Sequence, residues 1–159
     1  LGTYEKHHML PLFESELKVG TTRTLLPHPS GLWGVQICKD MDFPELSREY
    51  GNDGIGLLLV PAWDFVSDGW LHDRMAVMRG VESGFSIARA AKLGLLSLSD
   101  SRGRVLAQAP TGGAEFASLL GTIPVQHERT LYAARGDWFS WLVLGLLLLS
   151  LLSLPGRPQ

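Results

Sequence analysis

The 159-residue chain holds one cysteine, Cys38, and the sequence changes character at that point. Leu32 to Cys38 (LWGVQIC) is apolar and rich in β-formers, whereas Lys39-Asp40-Met41-Asp42-Phe43-Pro44-Glu45 is charged and reads as the approach to a helix. A thiol attacks carbonyl carbon as its thiolate, a form that a nearby cation and a turn into a helix both favour. A lone cysteine at a strand end also serves as core packing, so its partners decide the reading. The segment Tyr4 to Glu14 (YEKHHMLPLFE) is a second patch rich in polar side chains, to be read together with the one around Cys38. Asp40, two residues after the thiol, would need no catalytic role as an ordinary helix cap. Lys39 adds a second cation.

Other polar residues carry less. His7, His8 and the His72-Asp73 pair have no second pair at ligand spacing, so no metal is expected. Arg79, Glu82 and Arg89 read as a structural charge network at the base of the site. Trp63 and Trp70 flank a loop (AWDFVSDGW) assigned to aromatic packing in preference to lining an entrance or touching lipid.

These side chains need a scaffold. Strands are expected at 32–38, 54–61, 85–91, 94–99 and 105–108, with a last one within 116–126, and helices at 43–50 and 71–83. In the second helix Leu71, Met75, Met78 and Val81 form the expected apolar stripe. Apolar strands joined by helical crossovers imply an α/β layered domain, with reactive groups where strands end.

The patches around Lys6 and Cys38, taken together, resemble the nitrilase superfamily of carbon–nitrogen hydrolases, whose Glu-Lys-Cys triad places the lysine in a YxKxHLxP-like segment and the cysteine in a CYDxxFPE-like run. Glu14 falls eight residues after Lys6, and the segments MAVMRGVESGFSIARAAKLGLLSLSDSRGRVL and TLYAARGDWFSWL resemble the apolipoprotein N-acyltransferase branch. That resemblance covers nearly all of residues 1–154. It implies a nitrilase-like α-β-β-α sandwich, partial here, over residues 1–137, with Cys38 as nucleophile, Lys6 as oxyanion partner, Glu14 as a second carboxylate, and Lys39 and Asp40 in support. The general-base glutamate is then expected upstream of residue 1, and the chain is expected to be inactive alone. Lys39 and Asp40 depart from the Tyr-Glu usual in that branch, which leaves the acceptor open.

Composition bounds the partners. Hydrophobic residues make up 45% and charged residues 19%, with a net charge of −2 and no basic block, which argues against nucleic acid. Trp138 to Leu154 (WFSWLVLGLLLLSLLSL) carries no charge and is apolar on every face. At 1.5 Å per residue it would make about 25 Å of helix, inside the range that spans a bilayer. It is therefore expected to be a transmembrane helix, followed by a short tail at 155–159. Arg129, Arg135 and Arg157 give too small a bias to fix its orientation. The resemblance implies a catalytic domain in the periplasm, anchored in the inner membrane, that needs no cofactor. It would move a fatty acyl group from phospholipid to the N-terminal amine of a lipoprotein. The alternatives are a membrane-tethered amidase or nitrilase and a non-catalytic binding relative.

Overall fold

The computed structural model describes residues 2–112 and 116–153. Six strands form one mixed sheet in sequence order: β1 (Leu25–His28), β2 (Gly31–Val35), β3 (Leu57–Trp63), β4 (Ser86–Lys92), β5 (Leu95–Ser99) and β6 (Val105–Pro110). β2, β3 and β4 run parallel, and the other three join antiparallel at the edges. Parallel neighbours need crossovers, and these are the two expected helices, α1 (Pro44–Asp53) between β2 and β3 and α2 (Gly69–Ser83) between β3 and β4. Pro44 opens α1 where a missing N–H costs nothing, and Gly54, at φ 80°, closes it in the left-handed region. The hairpin partner β1 had no signal strong enough to be expected.

Both helices pack on one face of the sheet. The core between them is Leu46, Tyr50, Leu58, Val60, Ala76, Phe85 and Ile87, with Met41 and Ile55 at its ends. Tyr50 is fully buried because its hydroxyl is satisfied: it donates to the Val35 carbonyl at 2.8 Å and accepts from the Thr24 N–H at 3.0 Å. The helix period in α2 is as expected, but its phase is not. Leu71, Met78 and Val81 are exposed, and the buried face is Asp73, Ala76, Val77, Gly80 and Ser83. The reason is close approach. A Cβ on Gly80 would stand 2.8 Å from the Phe85 carbonyl, so small residues face the sheet while the large ones point outward. Asp73 tolerates burial by accepting from the Ser97 hydroxyl and the Arg74 guanidinium.

The strand expected within 116–126 is absent: the described part of that segment has no regular structure. It crosses the other face of the sheet instead of following an edge. Gly121 lies against Leu98 and Ala107, and the Val125 carbonyl lies against Gly56. Its end is tied down by the Glu128 N–H donating to the Gly84 carbonyl at 2.8 Å. Of the expected four-layer sandwich, the described residues therefore contain one helical layer and one sheet.

A short helix, α3 (Leu131–Arg135), capped by the Thr130 hydroxyl, packs on α1 and α2 and leads into α4 (Trp138–Leu152). The apolar segment expected to span a membrane is thus helical over fifteen residues, about 22 Å, with no buried residue. Among the described residues no helix is long and apolar enough to cross a membrane. Leu154 and the tail with Arg157, like Leu1 and residues 113–115, lie outside the described residues.

Replacing Tyr50 with Phe leaves the Val35 carbonyl and the Thr24 N–H without that partner while keeping the ring in place. A loss of about 1–3 kcal/mol is expected in denaturant titration, with an unchanged m-value.

Candidate active site

β2 ends at Val35, three residues before the thiol. Cys38 opens a single 3₁₀ turn, Cys38–Asp42, at the carboxyl end of the parallel strands, the usual place for a site in such sheets. Its φ is +48°, a left-handed conformation that costs a non-glycine residue about 1–3 kcal/mol and is sustained only where its surroundings enforce it. The thiol is half-buried, and its Sγ lies 3.5 Å from the Trp63 carbonyl at the end of β3.

Asp40 supplies the enforcement. Its carboxylate is completely buried and is closed in by five donors or ring nitrogens. Within the turn it accepts from the Ile37 N–H at 3.0 Å. From the N-terminal segment it accepts the Tyr4 hydroxyl at 2.7 Å and the backbone N–H groups of His7 at 3.1 Å and His8 at 2.8 Å, with His8 Nδ1 at 3.1 Å. Three of the groups donating to it flank residue 6, so the same carboxylate that shapes the cysteine turn fixes the lysine segment. Burial, followed by the bond to Asp40, pushes the Tyr4 hydroxyl far above its ordinary range and keeps it a donor.

Lys6 is 8% exposed and pairs with Glu14, whose carboxylate also accepts the Leu10 N–H at 2.7 Å. The chain from 6 to 20 closes on itself through the Gly20 N–H and the Lys6 carbonyl, 2.8 Å apart. Any side chain at residue 20 would meet the Glu5 carbonyl at 2.1 Å. Burial raises the Glu14 carboxyl, but the Lys6 bond, the Leu10 N–H and the Lys6 charge together outweigh it and hold the group below the ordinary carboxylate range. The structure thus brings Lys6, Glu14 and Cys38 together on one cavity of about 520 Å³, whose other lining is Leu10, Phe13, Ile37, Pro61, Ala62, Trp63 and Phe65. The lining sets a nucleophile and a cation at one wall and hydrocarbon elsewhere, a combination that suits a carbonyl group bearing an apolar tail.

Three expectations change. Lys39 does not present a free cation to the thiol, since its ammonium is paired with Asp42. Arg79, Glu82 and Arg89 are not one network: Arg79 pairs with Glu82 at 3.0 Å, while Arg89 pairs with Asp64 at 2.6 Å. The two tryptophans are not packed inside. Trp63 and Trp70 are 60% and 65% exposed, with Lys92 and Arg74 over their rings, and Trp63 lines the cavity. Asp64, immediately after Trp63, was missed by sequence reasoning; its position in a loop of alternating acids and aromatics gave no sign that it would be buried. His7 stacks on Tyr4 and His8 on Phe43. Among the described residues no three potential ligands cluster to hold a metal.

The model of the carbon-nitrogen hydrolase family matches residues 1–130. The apolipoprotein N-acyltransferase of Geobacter metallireducens is 32% identical over 167 residues, covering 89% of this chain and 31% of that protein. That of Shewanella oneidensis is 31% identical over 170 residues, covering 92% and 32%. The chain therefore spans about a third of the length of these curated relatives. Among solved structures, a cysteine-to-alanine mutant of the amidase from Nesterenkonia sp. AN1 in complex with butyramide superposes with a TM-score of 0.65 at 19% identity, over 88% of this chain and 56% of that one. A mutant of the same amidase, carrying a covalent acetamide adduct at its active-site cysteine, superposes equally well.

Two outcomes follow from the geometry. Asp40→Asn presents an amide to a pocket of donors, so it should cost about 2–4 kcal/mol in thermal or denaturant unfolding, more than an exposed Asp→Asn change. Glu14 should titrate below the ordinary glutamate value, so its pairing contributes fully above the ordinary carboxylate range and is lost as pH falls through the depressed value. Lys6→Met removes two of the lowering causes and should move the Glu14 carboxyl upward, as read by NMR titration of its side-chain carboxyl carbon.

Proposed function

The chain belongs to the carbon-nitrogen hydrolase family of enzymes, also called the nitrilase superfamily, and from that premise we propose that it carries the thioester-forming site of an acyltransferase. The donor is a phospholipid and the acceptor is the N-terminal amine of a lipoprotein. The observation that carries this reading is the cavity in which Cys38 meets Lys6 and Glu14, because its remaining wall is almost entirely apolar. A fatty acyl chain needs such a wall, and a small amide does not. The names of the relatives from Geobacter metallireducens and Shewanella oneidensis support the same assignment.

In the first half-reaction the Cys38 sulfur attacks the ester carbonyl, and its proton passes to a general-base carboxylate expected upstream of residue 1. Negative charge develops on the carbonyl oxygen, where the Lys6 ammonium stabilises it. The C–O bond breaks, the base returns the proton to the departing alkoxide, and lysophospholipid leaves the acyl group on sulfur. In the second half the amine attacks the thioester, the C–N bond forms, the C–S bond breaks, and the base takes the ammonium proton and passes it to the departing Cys38 sulfur. Glu14 holds Lys6 in place through both halves, and Asp40 holds the two segments in register. The apolar segment 138–154 anchors the domain at the inner membrane, facing the periplasm, where donor and acceptor both reside.

A second reading, hydrolysis of a small amide, is favoured by one feature: Asp40 stands where the acyltransferase branch usually has Glu. The two separate in one experiment. Full-length protein incubated with phosphatidylethanolamine should gain the mass of a fatty acyl group on the Cys38 peptide, removable by hydroxylamine and absent from Cys38→Ser. Lys6→Met should slow its appearance about 10²–10³-fold. An adduct from a small amide with none from phospholipid would assign the hydrolase instead.

A further inference from the structure

Cys38 has a second side. Beyond the thiol from the apolar cavity lies a smaller recess of about 180 Å³, on which Cys38, Trp63, Asp64, His72 and Arg89 all open. At its floor Arg89 of β4 and Asp64 form an ion pair of 2.6 Å, 3% and 1% exposed. His72 Nδ1 from α2 approaches the same Asp64 oxygen at 3.4 Å. Burying such a pair is expensive, and a pair of this kind is a weak contributor to stability; its best-attested use is to fix one arrangement among several.

What it fixes is the residue next door. Asp64 directly follows Trp63, whose carbonyl is the partner of the Cys38 thiol at 3.5 Å. The Asp64 N–H donates to the Lys92 carbonyl at 2.9 Å, and Trp63 pairs with Lys92 in the β3–β4 register. The Lys92 ammonium lies over the Trp63 ring at 4.4 Å. The backbone at 63–64 is thus held to β4 by its N–H on one side and by the buried carboxylate on the other. Three elements converge on it: β3 carries the carbonyl, β4 carries the guanidinium, and α2 carries the imidazole.

We propose that Arg89, acting through Asp64, is a positioning residue for the thiol: it holds the Trp63 carbonyl toward Cys38 and so selects the one side-chain rotamer from which the sulfur can attack. The proposal rests on Cys38 being the acylated residue. Without the pair the 63–64 peptide keeps only its ladder bond to Lys92, so the carbonyl can shift out of reach of the sulfur and the thiol divides its time among rotamers of which one is productive. Attack on a bound carbonyl requires near-attack geometry, whereas a small soluble electrophile requires none.

The test compares wild-type full-length protein with Arg89→Gln, Arg89→Lys and the charge-neutral pair Arg89→Gln/Asp64→Asn, the last included because a lone buried Asp64 charge endangers folding. Each is treated with p-nitrophenyl butyrate, with phosphatidylethanolamine, and with iodoacetamide, well below its unfolding temperature. Per folded molecule, Arg89→Gln and the double variant should show an acylation rate at saturating ester lowered about tenfold, with KM and the iodoacetamide rate within twofold of wild type. Arg89→Lys should recover part of the loss. An unchanged acylation rate per folded molecule would reduce the pair to a structural role and overturn the proposal, as would a parallel fall in alkylation, which indicates a collapsed site. Acylation by the ester but not by phospholipid would remove the proposed donor and leave the role of Arg89 readable; acylation of Cys38 by neither would overturn both.

Discussion

The site depends on a buried carboxylate whose hydration is replaced by protein donors. Asp40 has no solvent contact, and the groups that replace its water come from two segments about thirty residues apart in sequence. A charge in that position is tolerable only while all of those bonds are made, since each missing donor leaves part of an anion unsolvated in a medium of low dielectric. The positive φ of Cys38 and the burial of Lys6 are both conditions that an unsupported chain would relax. One carboxylate stabilises both, which is why the thiol and the ammonium cannot drift apart independently.

Around that clamp the fold contributes direction. Parallel strands end on the same side of the sheet, so the turn after β2 and the loop after β3 meet there, and the thiol finds its carbonyl partner in Trp63. Two chambers result, one apolar and shared with Lys6 and Glu14, one polar and floored by Asp64 and Arg89. The opposite face of the sheet carries Leu59, Ala88, Leu96 and Leu98 and is crossed by the segment around Gly121 and Val125.

Much of the arrangement was legible in the residues themselves. The apolar runs at 54–61 and 85–91 and the change of character at Cys38 marked two parallel strands and the turn that holds the thiol, because burial on both faces leaves a continuous hydrophobic signature. That Glu14 would stand near Lys6 was an expectation of the resemblance alone, and the two side chains do pair. Other features were not legible. The phase of α2 was misread because large apolar residues were taken to face inward, whereas the close approach of helix and sheet at Gly80 admits only small ones. The segment 116–126 has strand-like composition, yet Gly121 and Pro124 suit a chain that lies across a sheet better than one that extends it. Asp64 and Arg89 lie twenty-five positions apart on different strands, and no local pattern announces a pair that only the β3–β4 register creates.

The central claim is that folding directs an acyl oxygen on Cys38 toward Lys6. It is tested most directly by the crystal structure of the full-length protein trapped as its Cys38 acyl adduct. The account predicts the carbonyl oxygen within hydrogen-bond reach of the Lys6 ammonium and the chain lying between Phe13, Pro61 and Phe65. An adduct whose oxygen turns into the recess beside Arg89, out of reach of the Lys6 ammonium, would contradict it.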